Sequence, residues 1–185
     1  MRQFMRVGVT LALIAAVAAT ALALVNEVTA PRIAAYELQV IQNALTEVSG
    51  GFEIGETRGA PDEASVREIH TLTDPSNSIS GYILQLVGTG YGGEMTIMAS
   101  YTSDGAVIDA RLLANAETPG LGKKAESPSY MEKFQDTGSE QSVPVKKDEL
   151  EKADADSISG ATVTFSGIAK TIAYGSDFVK SLGGE

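Results

Sequence analysis

The chain has 185 residues, a length that suits one domain of ordinary size, and 43% of them are apolar. Its formal charge is −10, and it contains no Cys and a single His, His70. This excludes disulfides, Cys-ligated zinc, iron–sulfur clusters and thiol catalysis, and one His cannot build a His-based metal site alone. The two basic residues before position 26, Arg2 and Arg6, precede an apolar run, and every Asp and Glu follows it. Without those two arginines, 12 basic residues face 24 acidic ones, a net −12 for residues 26–185. An acidic body of this kind repels phosphate backbones, which argues against nucleic-acid binding.

Residues 7–25 read VGVTLALIAAVAATALALV, nineteen uncharged positions without Pro. As a helix they span roughly 28 Å, close to the hydrocarbon thickness of a bilayer. Positive charge before the run and Asn26-Glu27 after it place residues 1–6 in the cytoplasm and 26–185 outside. A cleaved signal peptide is the alternative, with Ala21-Leu22-Ala23 as a small-x-small site. The run continues to Val25 with no polar break before that site, which favours a retained single-pass anchor.

Pro31 suits the first turn of a helix, and Ile33, Val40, Ile41, Ala44, Leu45 and Val48 recur at helical spacing. An amphipathic helix is expected over 31–48, ended by Gly50-Gly51. Residues 51–79 are polar and turn-rich and read as loop with one short strand at most; His70 within them reads as a surface residue. Three strand signals follow, at 82–87, 94–101 and 106–113. The strongest sets Met95, Ile97, Ala99 and Tyr101 against Thr96, Met98 and Ser100, and Ser103-Asp104-Gly105 is a compact hairpin turn. An antiparallel sheet with one buried face results. A short helix at 128–134, a short strand at 142–145 and a terminal helix over about 163–182 complete the chain. The expected fold is α+β: a single N-terminal transmembrane helix, then one extracytoplasmic domain with an antiparallel sheet packed by helices.

Within Asp156-Ser157-Ile158-Ser159-Gly160-Ala161-Thr162-Val163-Thr164, three hydroxyls, of Ser159, Thr162 and Thr164, cluster at the mouth of the terminal helix. Gly160 and Ala161 let a ligand approach the backbone, and a helix N-terminus offers free N–H groups and partial positive charge. This is a phosphate seat in a chain with no Walker-type loop, or else ordinary N-capping.

The segment resembles the flavinylation motif Asp-x-x-Ser/Thr-Gly-Ala-Thr-x-Thr of the FMN-binding domain family, matching it at Asp156, Ser159, Gly160, Ala161, Thr162 and Thr164. Glu117-Thr118-Pro119-Gly120-Leu121-Gly122 resembles the family's flavin-facing loop, and Gly88-x-Gly90-Tyr91-Gly92 its Gly-x-Gly-Tyr stretch. The resemblance implies FMN joined by a phosphoester bond to Thr164, with Asp156 recognised by a flavin transferase. It implies that Ser159, Gly160, Ala161, Thr162, Glu117, Thr118, Gly120, Leu121, Gly122 and Tyr91 surround the cofactor. Lys123-Lys124 is a solvated pair or a contact to flavin oxygens. The family includes the G subunit of the Rnf complex and the C subunit of the sodium-pumping NADH:quinone oxidoreductase; the short outer part favours the former. The resemblance thus implies an electron carrier working with other membrane and redox subunits, with no metal and no complete active site of its own. A membrane-anchored binding module without flavin is the competing reading. A serine hydrolase is disfavoured, because there is no Gly-x-Ser-x-Gly elbow and His70 stands alone.

Overall fold

The computed structural model describes residues 2–60 and 63–182. Its elements are α1 (Arg2–Val48), β1 (Glu53–Gly59), β2 (Val66–Thr73), β3 (Ile79–Thr89), β4 (Glu94–Thr102), β5 (Val107–Ala114), α2 (Pro128–Met131), α3 (Lys152–Ser157) and α4 (Thr162–Leu182), with short 3-10 turns between them. The chain divides into two compact units, 1–41 and 42–185.

In the first unit, α1 contains a stretch of mean hydropathy 2.4 with none of it buried, long and apolar enough to cross a membrane. Contrary to the expectation from its spacing, no new helix begins at Pro31; Pro31 lies inside α1. Pro removes one donor from the ladder. Two residues earlier, the Thr29 hydroxyl donates to the Val25 carbonyl at 2.8 Å.

In the second unit, the five strands form an antiparallel meander in the order β1-β2-β3-β4-β5. The sheet has two strands more than the apolar patterning of 82–113 indicated, because β1 and β2 lie in the stretch read as loop with one short strand at most. β1 is exposed along its whole length, so nothing in its sequence needs to alternate; its ladder with β2 holds it. In β2 a register shift between Val66 and Glu68 brings Val66 and Ile69 to one face, three residues apart. A bulge of this kind erases the period of two that marks a strand. No strand forms at 142–145. Pro144 has no N–H to offer a ladder. The Val145 N–H donates instead to Glu149 Oε2 at 2.7 Å, and its carbonyl accepts the Ser166 hydroxyl at 3.2 Å.

One face of the sheet carries the main core. Leu84, Leu86, Met95, Ile97, Ala99 and Tyr101 pack with Phe165, Ile168, Ala169, Ile172 and Val179 of α4. Each large side chain in this set contributes roughly 1.5–3 kcal/mol by leaving water. Gly167 and Gly175, poor helix formers, make the packing close. A Cβ on Gly167 would lie 2.3 Å from the Thr89 carbonyl oxygen, and one on Gly175 2.3 Å from the Tyr101 hydroxyl. That hydroxyl donates to the Ile172 carbonyl at 3.0 Å, and burial pushes its pKa up.

The opposite face is also buried, contrary to the expectation of one buried face. Leu72, Ile83 and Met98 are inaccessible there, as is Val48 at the end of α1. Arg111 of β5 pairs with Glu47 at 3.0 Å, and Gly50 sits against Ile108. His70 belongs to this face and is buried, not a surface residue. Its Nδ1 lies 2.8 Å from the Thr57 hydroxyl, while Nε2 has no hydrogen-bond partner among the described residues. Burial lowers its pKa, and the nearby Glu68 carboxylate opposes that shift.

Candidate functional site

The three stretches singled out in the sequence meet in space. β3 ends at Thr89, and a turn closed by Gly90 N–H to the Gly93 carbonyl (2.8 Å) presents Tyr91. After β5 the chain turns through Thr118–Leu121, with Gly120 in the left-handed region at φ +78°, and enters a 3-10 turn at Gly122–Glu126. α3 leads through Gly160 (φ +85°) into the first turn of α4. Ordinary side chains avoid that backbone region, so the abrupt entry requires glycine.

A buried carboxylate joins these stretches. Glu117 Oε2 accepts the Thr164 hydroxyl at 2.7 Å, and Oε1 accepts the Gly92 N–H at 3.0 Å. The Glu117 N–H is held by Asn115 Oδ1 at 3.0 Å. Glu117 and Thr164 are 4% and 1% exposed. Glycines make room for the carboxylate: a Cβ on Gly90 would lie 2.1 Å from Oε1, and one on Gly122 2.4 Å from Oε2. Tyr130 stands nearby with its hydroxyl unpartnered among the described residues. Burial, then the Glu117 charge, push its pKa up.

Above this pair lies a cavity of about 590 Å³, lined by Tyr91, Glu117, Thr118, Leu121, Gly122 and the α4 entry from Gly160 to Thr164. Cavities of roughly 300–1,000 Å³ suit small molecules and cofactors. The side chains of Tyr91 (73% exposed), Val163 (59%) and Leu121 (44%) leave apolar surface uncovered around it. A flat ring would cover that surface, and the free N–H groups of the α4 start would receive a phosphate. These residues fit a flavin mononucleotide.

Three residues expected at the cofactor or its attachment lie away from the cavity lining. Ser159 is exposed, and its hydroxyl accepts Lys147 Nζ at 2.8 Å. Gly120 serves the turn, and Asp156 is exposed on α3. Lys123 pairs with Glu126 at 3.2 Å on the surface, as a solvated lysine does. Val163 lines the cavity although its motif position is unspecified. Its place in the first helical turn, between two motif threonines, was the available signal.

Residues 90–176 match the FMN-binding domain, and residues 1–48 match the RnfG N-terminal region. The G subunit of the proton-translocating ferredoxin:NAD(+) oxidoreductase complex of Clostridium ljungdahlii is 31% identical over 96 residues, covering 52% of this chain and 51% of that one. The G subunit of the sodium-translocating ferredoxin:NAD(+) oxidoreductase complex of Acetobacterium woodii is 29% identical over 174 residues, 86% of this chain and 83% of that one. The G subunit of the ion-translocating oxidoreductase complex of Cereibacter sphaeroides is 31% identical over 179 residues, 91% of this chain and 80% of that one. A likeness that runs through both the apolar helix and the folded unit leaves one assignment: the chain belongs to the family of G subunits of ion-translocating oxidoreductase complexes.

Proposed function

We propose that this chain is the electron-carrying G subunit of an Rnf-like membrane complex, holding FMN through a phosphoester bond to Thr164. The observation that carries the reading is the position of the Thr164 hydroxyl, at the α4 start and in the wall of a cavity with exposed apolar side chains. Bound there, FMN supplies one- and two-electron exchange. The chain supplies the rest. The α4 N-terminus would receive the phosphate, and Leu121, Tyr91 and Val163 would cover the ring. The Thr118 hydroxyl would be available to a polar edge. Asp156, exposed eight residues before Thr164, is open to a flavin transferase during maturation. Relatives named as subunits of ferredoxin:NAD(+) oxidoreductase complexes support a role between other redox subunits of the same assembly.

Residues 7–25 are the membrane anchor, with residues 1–6 in the cytoplasm and 26–185 outside, as the placement of Arg2 and Arg6 supports. Covalent attachment then keeps the cofactor from being lost outside the cell. Flavin fluorescence and intact mass after denaturation test the attachment. Thr164→Ala should carry no flavin, and Thr162→Ala should keep it; a flavin peptide mapped to Thr162 or Ser159 defeats the assignment. A single Cys at exposed Gln141, in a chain with no other Cys, should react with an impermeant reagent on intact cells. Reaction only after lysis would reverse the topology.

A further inference from the structure

We propose that Glu117 is a catalytic residue in the attachment of the flavin: it orients the Thr164 hydroxyl and takes its proton as the phosphoester bond forms. This rests on Thr164 being the attachment point, and it names the group on this chain that makes the threonine reactive.

A threonine hydroxyl is a weak nucleophile and needs a base within about 2.6–3.2 Å. Glu117 Oε2 is 2.7 Å from Thr164 Oγ1. The Gly92 N–H holds the other carboxylate oxygen, and Asn115 Oδ1 accepts the Glu117 backbone N–H. Gly90 and Gly122 are the residues that leave it space. Among the described residues no Lys or Arg forms an ion pair with it. A carboxylate buried without a cation costs folding free energy, and a loop clamp alone could be built from neutral groups. The arrangement also selects among the three hydroxyls of the motif. Ser159 faces Lys147, and Thr162 is exposed; among the described residues neither donates to a carboxylate.

The step balances with a flavin dinucleotide as donor. Thr164 Oγ bonds to the phosphorus of the flavin mononucleotide half. The pyrophosphate P–O bond breaks, and its electron pair leaves with the nucleoside monophosphate. The hydroxyl proton passes to Glu117 Oε2 and from there to water. Nothing is oxidised or reduced.

The test uses the full chain with flavin transferase and flavin dinucleotide, comparing wild type, Glu117→Gln and Glu117→Asp. The rate of mass gain is read per folded chain, and the modified residue is mapped. In Gln the amide oxygen can go on accepting the Gly92 N–H while its NH2 donates to Thr164 Oγ1, so Thr164 stays in place, but the amide cannot take the proton. Its modification should be about a hundredfold slower or more, the range of general-base catalysis. Asp keeps a proton acceptor and should react faster than Gln, a rescue that a purely structural clamp would not produce. Glu117→Gln modified on Thr164 at the wild-type rate, or Asp no faster than Gln, overturns this role and leaves the attachment standing. A wild-type chain that takes no flavin, or takes it at another residue, overturns both.

Discussion

Among the described residues, α4 borders two cavities of similar size and opposite character. The first, about 590 Å³, opens at the helix start between Gly160 and Thr164. The second, about 420 Å³, lies along Ala173–Lys180 and is lined by Gly138, Ser142, Glu140, Glu149 and Asp177. At the first, apolar side chains are left uncovered and the helix end is electropositive. At the second, three carboxylates and Lys180 face water, and the buried Ser176 hydroxyl is used up on the Gly105 and Gly138 carbonyls at 2.7 and 3.1 Å. Volume therefore does not distinguish a site from a gap between packed elements. What distinguishes them is unspent chemistry: uncovered apolar area, free helix N–H groups, and a buried carboxylate that pairs with no cation among the described residues.

Substitutions should separate the two cavities. The largest effect is expected from Gly122→Ala. Its new methyl would lie 2.4 Å from Glu117 Oε2 and 2.8 Å from Thr164 Oγ1, so the pair must part. Overpacking of this sort costs about 1–3 kcal/mol. Denaturant unfolding should show that loss, and covalent flavin should fall with it. Full flavin loading in Gly122→Ala would mean that the glycine is not needed for the geometry of the pair. Ser176→Ala should lower stability by about 0.5–1.5 kcal/mol, more if both carbonyls stay dry, and leave flavin content unchanged. Loss of flavin in that variant would show that the second cavity is not a bystander. The smallest effects belong to Leu121→Ala and Thr118→Val. Each should keep the covalent bond and shift the absorbance or the midpoint potential. A hydrogen bond from Thr118 is worth about 0.5–1.5 kcal/mol net, and only its difference between oxidised and reduced states moves a potential. An unchanged spectrum and potential in both variants would reduce the loop to a turn.

Much of the molecule is legible in the sequence because the physics is local. The apolar run at 7–25, the alternation of Met95, Ile97, Ala99 and Tyr101, and the helical spacing of Phe165, Ile168 and Ile172 each need only a segment and its own period. The three motif stretches are legible because their residue types are rare in that order. Other features depend on partners far along the chain. β1 is a strand only because β2 pairs with it, and the bulge after Val66 hides the period of β2. His70 is buried on the face it shares with Leu72, Ile83 and Met98, a face that local polarity marks as wet. The bond between Glu117 and Thr164, 47 positions apart, is the clearest case. The sequence by itself determined a membrane-length helix, an antiparallel sheet under a terminal helix and three flavin-type motifs. Only the tertiary structure decided that these motifs converge on one buried carboxylate, because hydrogen bonds between distant residues follow from the packing of α4 on the sheet and leave no period in the chain.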